Sequence, residues 1–212
     1  MLTIKHLTPI NQGRTRLIYP HPTSSDLLVK VMRPEVLSKL ARRPWLRLIR
    51  PGKASRLMEM ELKHQIFLHS RGESAPFIQK VFSLEKTDLG KGLVVEALRT
   101  QAGAYAPTLG HLIKTGAFAS AERELLAAHA EDILRSRCVV YDFNMDNLVL
   151  AYRDGTGPSF VMVDGFGERE LIKKRTLIRA LNDPFKKCKL EKFLRKVDRV
   201  TSEPATEVRG RA

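Results

Sequence analysis

The sequence predicts an α+β fold in which a small antiparallel sheet comes first and helices follow, within one domain of 212 residues. Three observations carry this reading. Up to about residue 98, short apolar runs alternate with turn residues, the pattern of strands and hairpins. From about residue 105 helical segments dominate, and one further hairpin interrupts them. That hairpin carries acids and an amide at its strand ends. The boundaries that follow are a sheet lobe over about 1–98, with a basic insertion at 33–56, a helical lobe over about 105–200, and a frayed tail at 201–212.

The elements follow in order. Leu2-Thr3-Ile4 and Arg16-Leu17-Ile18-Tyr19 read as strands around the turn Asn11-Gln12-Gly13-Arg14. The punctuators of Pro20-His21-Pro22-Thr23-Ser24-Ser25 turn the chain into a strand over Leu27–Met32. In the basic insertion, Arg33, Lys39, Arg42, Arg43, Arg47, Arg50, Lys53 and Arg56 face one acid, Glu35. Pro34, Pro44 and Pro51 break it up, and Trp45, Leu46, Leu48 and Ile49 interleave with the arginines. It reads as mobile, with room for one short helix.

A helix is predicted from about Ser55 to His69, with Met58, Leu62 and Ile66 as its apolar stripe and Gly72 closing it. Strands over Ile78–Leu84 and Leu93–Leu98 enclose a turn at residues 85–92. Leu109–Lys114 forms a short helix, and Ser120 caps another that runs to about Arg137, with Glu122 and Glu124 at its positive end. Residues 168–200 read as helical and very basic.

Composition bounds the setting. An apolar content of 43% is that of a globular chain. Cys138 and Cys188 have no framework or metal-site spacing, which fits reduced thiols in the cytosol. No apolar run reaches membrane-span length, and Met1-Leu2-Thr3-Ile4-Lys5-His6 lacks a signal-peptide core. The expected location is the cytoplasm, peripheral to the inner membrane if the basic insertion meets lipid. A net charge of +14 implies an anionic partner: nucleotide, phospholipid, lipopolysaccharide precursor or nucleic acid. Nucleic acid ranks last, because no helix-turn-helix or aromatic RNA platform is present. In the insertion, Trp45 and the aliphatics suit an interface and the arginines suit lipid phosphates, beside the plain reading of a solvated charged face.

The chemistry concentrates in the late hairpin. Asp142 is followed five residues later by Asn147, which opens the apolar strand Leu148-Val149-Leu150. The turn Arg153-Asp154-Gly155-Thr156-Gly157-Pro158 reverses the chain, and Phe160-Val161-Met162-Val163 delivers Asp164 into Gly165-Phe166-Gly167. Phosphoryl transfer from a metal nucleotide to a hydroxyl calls for such a set: one carboxylate for the acceptor's proton, and an amide and a second carboxylate for Mg²⁺. Asp and Asn also serve as ordinary turn residues, and the order of all three distinguishes the readings. Lys30, inside an apolar strand, either contacts phosphate while paired with Glu61 (or Glu59), or lies on the outer face of the sheet. Gly13 either covers a phosphate with its basic neighbours or makes a plain hairpin turn. Glu96 either marks a strand end or begins a connector that meets an adenine ring.

With these residues the chain resembles the YrbL family, bacterial proteins named for a PhoP regulatory network, within the protein-kinase-like superfamily. The resemblance is carried by Gly13-Arg14-x-Arg16, Tyr19-x-His21-Pro22, Lys30, Glu61-Leu62-Lys63, Asn147-Leu148-Val149-Leu150 and Asp164-Gly165-Phe166-Gly167-Glu168. It implies a minimal kinase-like, two-lobed fold with a reduced helical lobe and ATP in the cleft. By position it implies Lys30 on the α/β-phosphates, Glu61 pairing Lys30, Asp142 as catalytic acid, and Asn147 and Asp164 on Mg²⁺. The chain also departs from the superfamily pattern. Its first turn has one glycine, Val140-Tyr141 stands where His-Arg is expected, and Asn144 replaces the usual lysine or histidine, which leaves the acceptor class open. The stretch after Asp164 is expected to lack an A-P-E activation segment, closer to compact lipopolysaccharide-sugar and Rio-type kinases. Two functions are therefore in play: an ATP- and Mg²⁺-dependent phosphotransferase acting on a hydroxyl of an envelope glycolipid or sugar, and a pseudokinase adaptor or sensor in PhoP-linked envelope-stress signalling. A third, weaker reading is a basic surface binder that keeps the fold.

Overall fold

The structure, a computed structural model, describes residues 1–41, 53–153, 155, 157–167 and 179–202. It is α+β, with a five-stranded antiparallel sheet in the order β1-β2-β3-β5-β4 and a separate two-stranded hairpin, β6-β7. The strands are β1 (Asn11–Gln12), β2 (Arg16–His21), β3 (Ser24–Met32), β4 (Val81–Thr87), β5 (Gly90–Glu96), β6 (Leu148–Arg153) and β7 (Gly157–Met162). The helices are α1 (Pro34–Ala41), α2 (Lys53–Ser70), α3 (Leu109–Lys114), α4 (Ser120–Arg135) and α5 (Arg179–Ser202), with a 3₁₀ turn at Met145–Asn147. Among the described residues, no helix is long and apolar enough to cross a membrane.

The centre of the sheet is covered on both faces, and this explains the near-continuous apolar run of β3. Val29 and Val31 pack with Ile4 and Tyr19 on one face. Leu28 and Met32 point the other way, into the main core with Met58, Leu68, Leu93, Leu148, Phe160 and Phe166. Lys30 shares that second face by the two-residue period of a strand.

The chain differs from the sequence reading at several points. Leu2 makes only an isolated bridge to Thr87, not a strand. Strands β4 and β5 run on through residues read as a turn, up to the Thr87↔Gly90 pair. The reversal is tight because Thr87 Oγ1 accepts from Leu89 N–H at 3.0 Å and Gly90 takes φ +104°. Ile78 is not in β4. Its segment clips onto β7 instead, with Gln79 N–H donating to Met162 O and Met162 N–H to Phe77 O, each at 2.9 Å.

In α2 the buried side is Met58, Glu61, His64 and Leu68, while Leu62 is half-buried and Ile66 is 58% exposed. The expected apolar stripe is therefore rotated: polar side chains that find partners occupy the inner face. Helix α1 fills the start of the predicted insertion, with Pro34 at its first position, where the missing N–H costs nothing. Residues 42–52, including Arg42, Arg43, Trp45, Leu46, Arg47, Leu48, Ile49 and Arg50, lie outside the described residues, as do 168–178 and the tail from 203. Helix α4 begins at Ser120, but its cap residue is Ala119, whose N–H donates to Glu122 Oε2 at 2.9 Å. Helix α3 matches its predicted span and is capped by Thr108 Oγ1, which accepts from His111 N–H at 3.1 Å.

Candidate functional site

The register of β2 against β3 pairs Ile18 with Lys30 and Arg16 with Met32, so Arg16 and Lys30 are diagonal neighbours on one sheet face. That face is inward. Lys30 is 3% exposed and Arg16 5% exposed, which removes the outer-face reading of Lys30. Across from them α2 presents Glu61, fully buried. Arg16 Nη2 donates to Glu61 Oε1 at 2.7 Å, and Arg16 Nη1 lies 3.8 Å from Asp164 Oδ2. Lys30 Nζ donates to Gln79 Oε1 at 2.6 Å and to the Val163 carbonyl at 2.5 Å. The buried acid of α2 thus takes Arg16 as its ion-pair partner here, not Lys30. Glu59, the other acid considered, lies on the outer side of α2, where it pairs with Lys63 at 3.3 Å and Lys91 at 3.5 Å.

Four charged groups in so small a volume perturb one another. Burial drives Lys30 below the ordinary lysine value, with Glu61 and Asp164 opposing. Burial also raises the Glu61 carboxyl; Arg16 opposes that shift and Asp164 adds to it. For Asp164, burial works against ionisation, but Arg16, Lys30 and the Gly165 N–H outweigh it and hold the carboxyl below its usual range. Arg16 is likewise penalised by burial, and Glu61 and Asp164 reverse the balance and raise its pKa.

The other half of the site is built from backbone. Asp164 follows the end of β7, and its Oδ1 accepts from Gly165 N–H at 2.7 Å and from Tyr141 Oη at 3.4 Å. Gly165 O accepts from both Tyr141 N–H at 2.8 Å and Asp142 N–H at 3.2 Å. Gly165 has φ +92°, and a Cβ there would sit 2.3 Å from Asp142 O, so glycine is required twice over. Gly167 N–H donates to Val139 O at 2.7 Å, which extends the pairing of 139–142 with 164–167. Asn147 Nδ2 donates to Asp142 O at 3.3 Å, and Asn147 O accepts from Val163 N–H at 2.8 Å. Asn144 Oδ1 caps the 3₁₀ turn by accepting from Asp146 N–H at 3.4 Å. The acid, the amide and the second acid of the sequence pattern are thereby drawn around one loop, with Asp142 exposed at its rim.

This backbone segment is held from behind. His64 Nε2 accepts from Val139 N–H at 3.1 Å. From α5, Asn182 Nδ2 donates to Cys138 O at 3.1 Å, Lys186 Nζ to Ser136 O at 2.6 Å, and Lys189 Nζ to Tyr141 O.

The remaining candidates lie at the periphery. Gly13 makes the β1–β2 turn, its N–H donating to Arg16 O at 2.9 Å. Glu96 ends β5, and Arg153 grips its carboxylate with Nε at 3.0 Å and Nη2 at 2.6 Å. The Glu96 carbonyl accepts from Gln79 Nε2 at 2.7 Å. Sequence reasoning did not single out Gln79 or the inward role of Arg16. Arg16 had one available signal: a charged residue two positions before Ile18 in a strand whose partner carries Lys30. Gln79 had none, because its place depends on the 77–79 segment leaving β4 for β7.

A metal site made by the protein alone is absent among the described residues, where no group of three or more His, Cys, Asp or Glu side chains is arranged to hold an ion. The oxygens at hand are the Asp164 carboxylate and the Asn147 amide oxygen. A hard-oxygen pair of this kind suits Mg²⁺, which typically takes one or two protein ligands and completes its shell with phosphates and water.

No curated protein matches the chain. The family model described as PhoP regulatory network protein YrbL matches residues 2–198, and the chain belongs to that family.

Proposed function

We propose that this protein is a kinase-like phosphotransferase that uses Mg·ATP and passes a phosphoryl group to a hydroxyl. The observation that carries the reading is the convergence of the buried Lys30 and Glu61 with the partly exposed Asp164, beside a loop that gathers Asp142 and Asn147. In this reading Lys30 meets the α/β-phosphates, with Glu61 within reach as its counter-charge. Asp164 and Asn147 hold Mg²⁺, which when bound neutralises charge on the phosphates. Asp142, exposed at the rim, orients the acceptor hydroxyl and receives its proton. Gly13 and its basic neighbours cover the phosphates, and the connector after Glu96 faces the base. The net charge of +14 supports an anionic acceptor, for which an envelope glycolipid or sugar is our choice.

One observation favours a second reading, a non-catalytic adaptor or sensor within the PhoP-linked network of the family. Gln79 bridges the site, accepting from Lys30 and donating to the Glu96 carbonyl. Two groups that a nucleotide would use are satisfied internally.

Calorimetry with ATP tests the first reading. The phosphotransferase reading expects binding that needs Mg²⁺ and falls at least tenfold in Asp164→Ala, because a metal ligand is lost. A folded wild-type protein that binds no Mg·ATP would overturn the phosphotransferase reading.

A further inference from the structure

Arg16 is the least expected member of the cluster. It comes from the strand after the single-glycine turn, and it is nine-tenths buried. Only half of its fork is used. Nη2 is bonded to Glu61 Oε1, while Nη1 is buried without a hydrogen-bond partner among the described residues. Across the pair, Glu61 Oε2 also has no hydrogen-bond partner among the described residues. Nη1 lies 3.8 Å from Asp164 Oδ2, on a side chain that is one-third exposed. An unmatched buried N–H is uncommon in native proteins, and it calls for an explanation such as a ligand atom.

We infer that Arg16 is a phosphate-binding residue: its Nη1, which makes no hydrogen bond, is the donor for a phosphate oxygen of the nucleotide, and it supplies a charged N–H where a glycine-rich loop would supply backbone N–H groups. The inference rests on the phosphotransferase reading and sharpens it, by naming which basic neighbour of Gly13 binds phosphate and through which atom. A planar guanidinium presents two parallel N–H edges, so one can stay on Glu61 while the other meets phosphate. Lysine at the same place keeps the charge and can pair with Glu61, but it is a point donor without the fork. The turn before Arg16 has a single glycine, Gly13, whose N–H is already donated to Arg16 O. A turn with one glycine has less freedom to bring its backbone close to a phosphate than a loop of several, and a long side chain such as Arg16 can span the gap.

The test is calorimetric binding of Mg·ATP and of adenosine to the whole protein and to Arg16→Lys. The expected result is a loss of tenfold or more for Mg·ATP, with adenosine affinity within twofold of wild type. If wild type binds Mg·ATP and Arg16→Lys binds it within twofold, Arg16 serves only to neutralise Glu61 and the inference fails alone. If wild type binds no Mg·ATP, the phosphotransferase reading fails and takes the inference with it. Should Arg16→Lys not fold, Glu61→Gln is compared with Arg16→Gln/Glu61→Gln, in which a neutral hydrogen bond replaces the ion pair. A tenfold drop from the first to the second supports the inference, and equal affinities overturn it.

Discussion

The two halves of the site are held together in different ways. On the sheet side, Arg16, Lys30 and Glu61 come from separate elements and are held by side-chain contacts: Arg16 pairs with Glu61, 45 residues away in sequence, and Lys30 donates to Gln79 and the Val163 carbonyl. On the loop side, Asp142, Asn147 and Asp164 lie within one hairpin and are placed by backbone hydrogen bonds through Gly165 and Asn147. The sheet side depends on each charge having its partner. The loop side depends on φ/ψ and on the absence of a Cβ. The two should therefore break by different substitutions, and by different amounts.

The largest effect is expected from breaking the buried pair one-sidedly. Arg16→Met takes the hydrogen-bonded cation from the fully buried Glu61 and leaves Lys30 as the remaining nearby positive charge; breaking a buried pair in this way costs about 3–5 kcal/mol. Adding Glu61→Leu removes the stranded charge and should recover most of that loss. Urea unfolding of the single and double variants measures both. If Arg16→Met costs less than about 1 kcal/mol, the pair is not the support described here.

Next comes the loop side. Gly165→Ala puts a Cβ 2.3 Å from Asp142 O at a φ of +92°, so the backbone must move. A residue forced into such a conformation costs about 1–3 kcal/mol. Unlike the arginine case, no second charge change should rescue it. Urea unfolding again reads the loss, and a variant as stable as wild type would show that the loop does not depend on glycine there.

The same division explains what the sequence made legible. The acid, amide and acid around β6-β7 could be read because their spacing is local and the strands between them are apolar on one face and bounded by turns. The fold class was legible for the same reason, and so was α3, whose span matched. The partner of Glu61 was not. A lysine in an apolar strand and an acid on the next helix suggest one another, but strand register and helix rotation decide which cation arrives. Helix α2 misled because Met58, Leu62 and Ile66 form a better apolar stripe on paper than Met58, Glu61, His64 and Leu68. Buried polar residues with partners defeat a hydrophobic pattern. Similarly, Glu85-Lys86-Thr87 and Gly90-Lys91-Gly92 looked like turn because they are polar or glycine, whereas the β4-β5 ladder accepts them, with Lys86 and Lys91 exposed and Gly92 packed closely against Val29 and Thr87.

The smallest expected effect is the control on burial itself. Arg123 Nη1 meets Asp198 Oδ1 at 2.5 Å, shorter than the 2.7 Å of the Arg16–Glu61 contact, and Arg123 Nη2 donates to Thr201 Oγ1 at 2.9 Å. By geometry alone this pair, which joins α4 to α5, would rank as the stronger. But Arg123 and Asp198 have side chains 49% and 60% exposed. Water solvates both charges when they separate, and holding two long side chains in one pose costs entropy. Exposed pairs are therefore worth about 0.2–1 kcal/mol. The guanidinium also lies over the Phe118 ring at 5.3 Å, which adds a contact that aliphatic truncation would lose. Arg123→Ala should destabilise by about 1 kcal/mol or less, and the loss should shrink at high salt, while the Arg16→Met loss should hardly respond to salt. Urea unfolding at low and high ionic strength measures both. If Arg123→Ala costs as much as Arg16→Met, distance rather than burial governs ion pairing in this fold, and the contrast between the two arginines disappears.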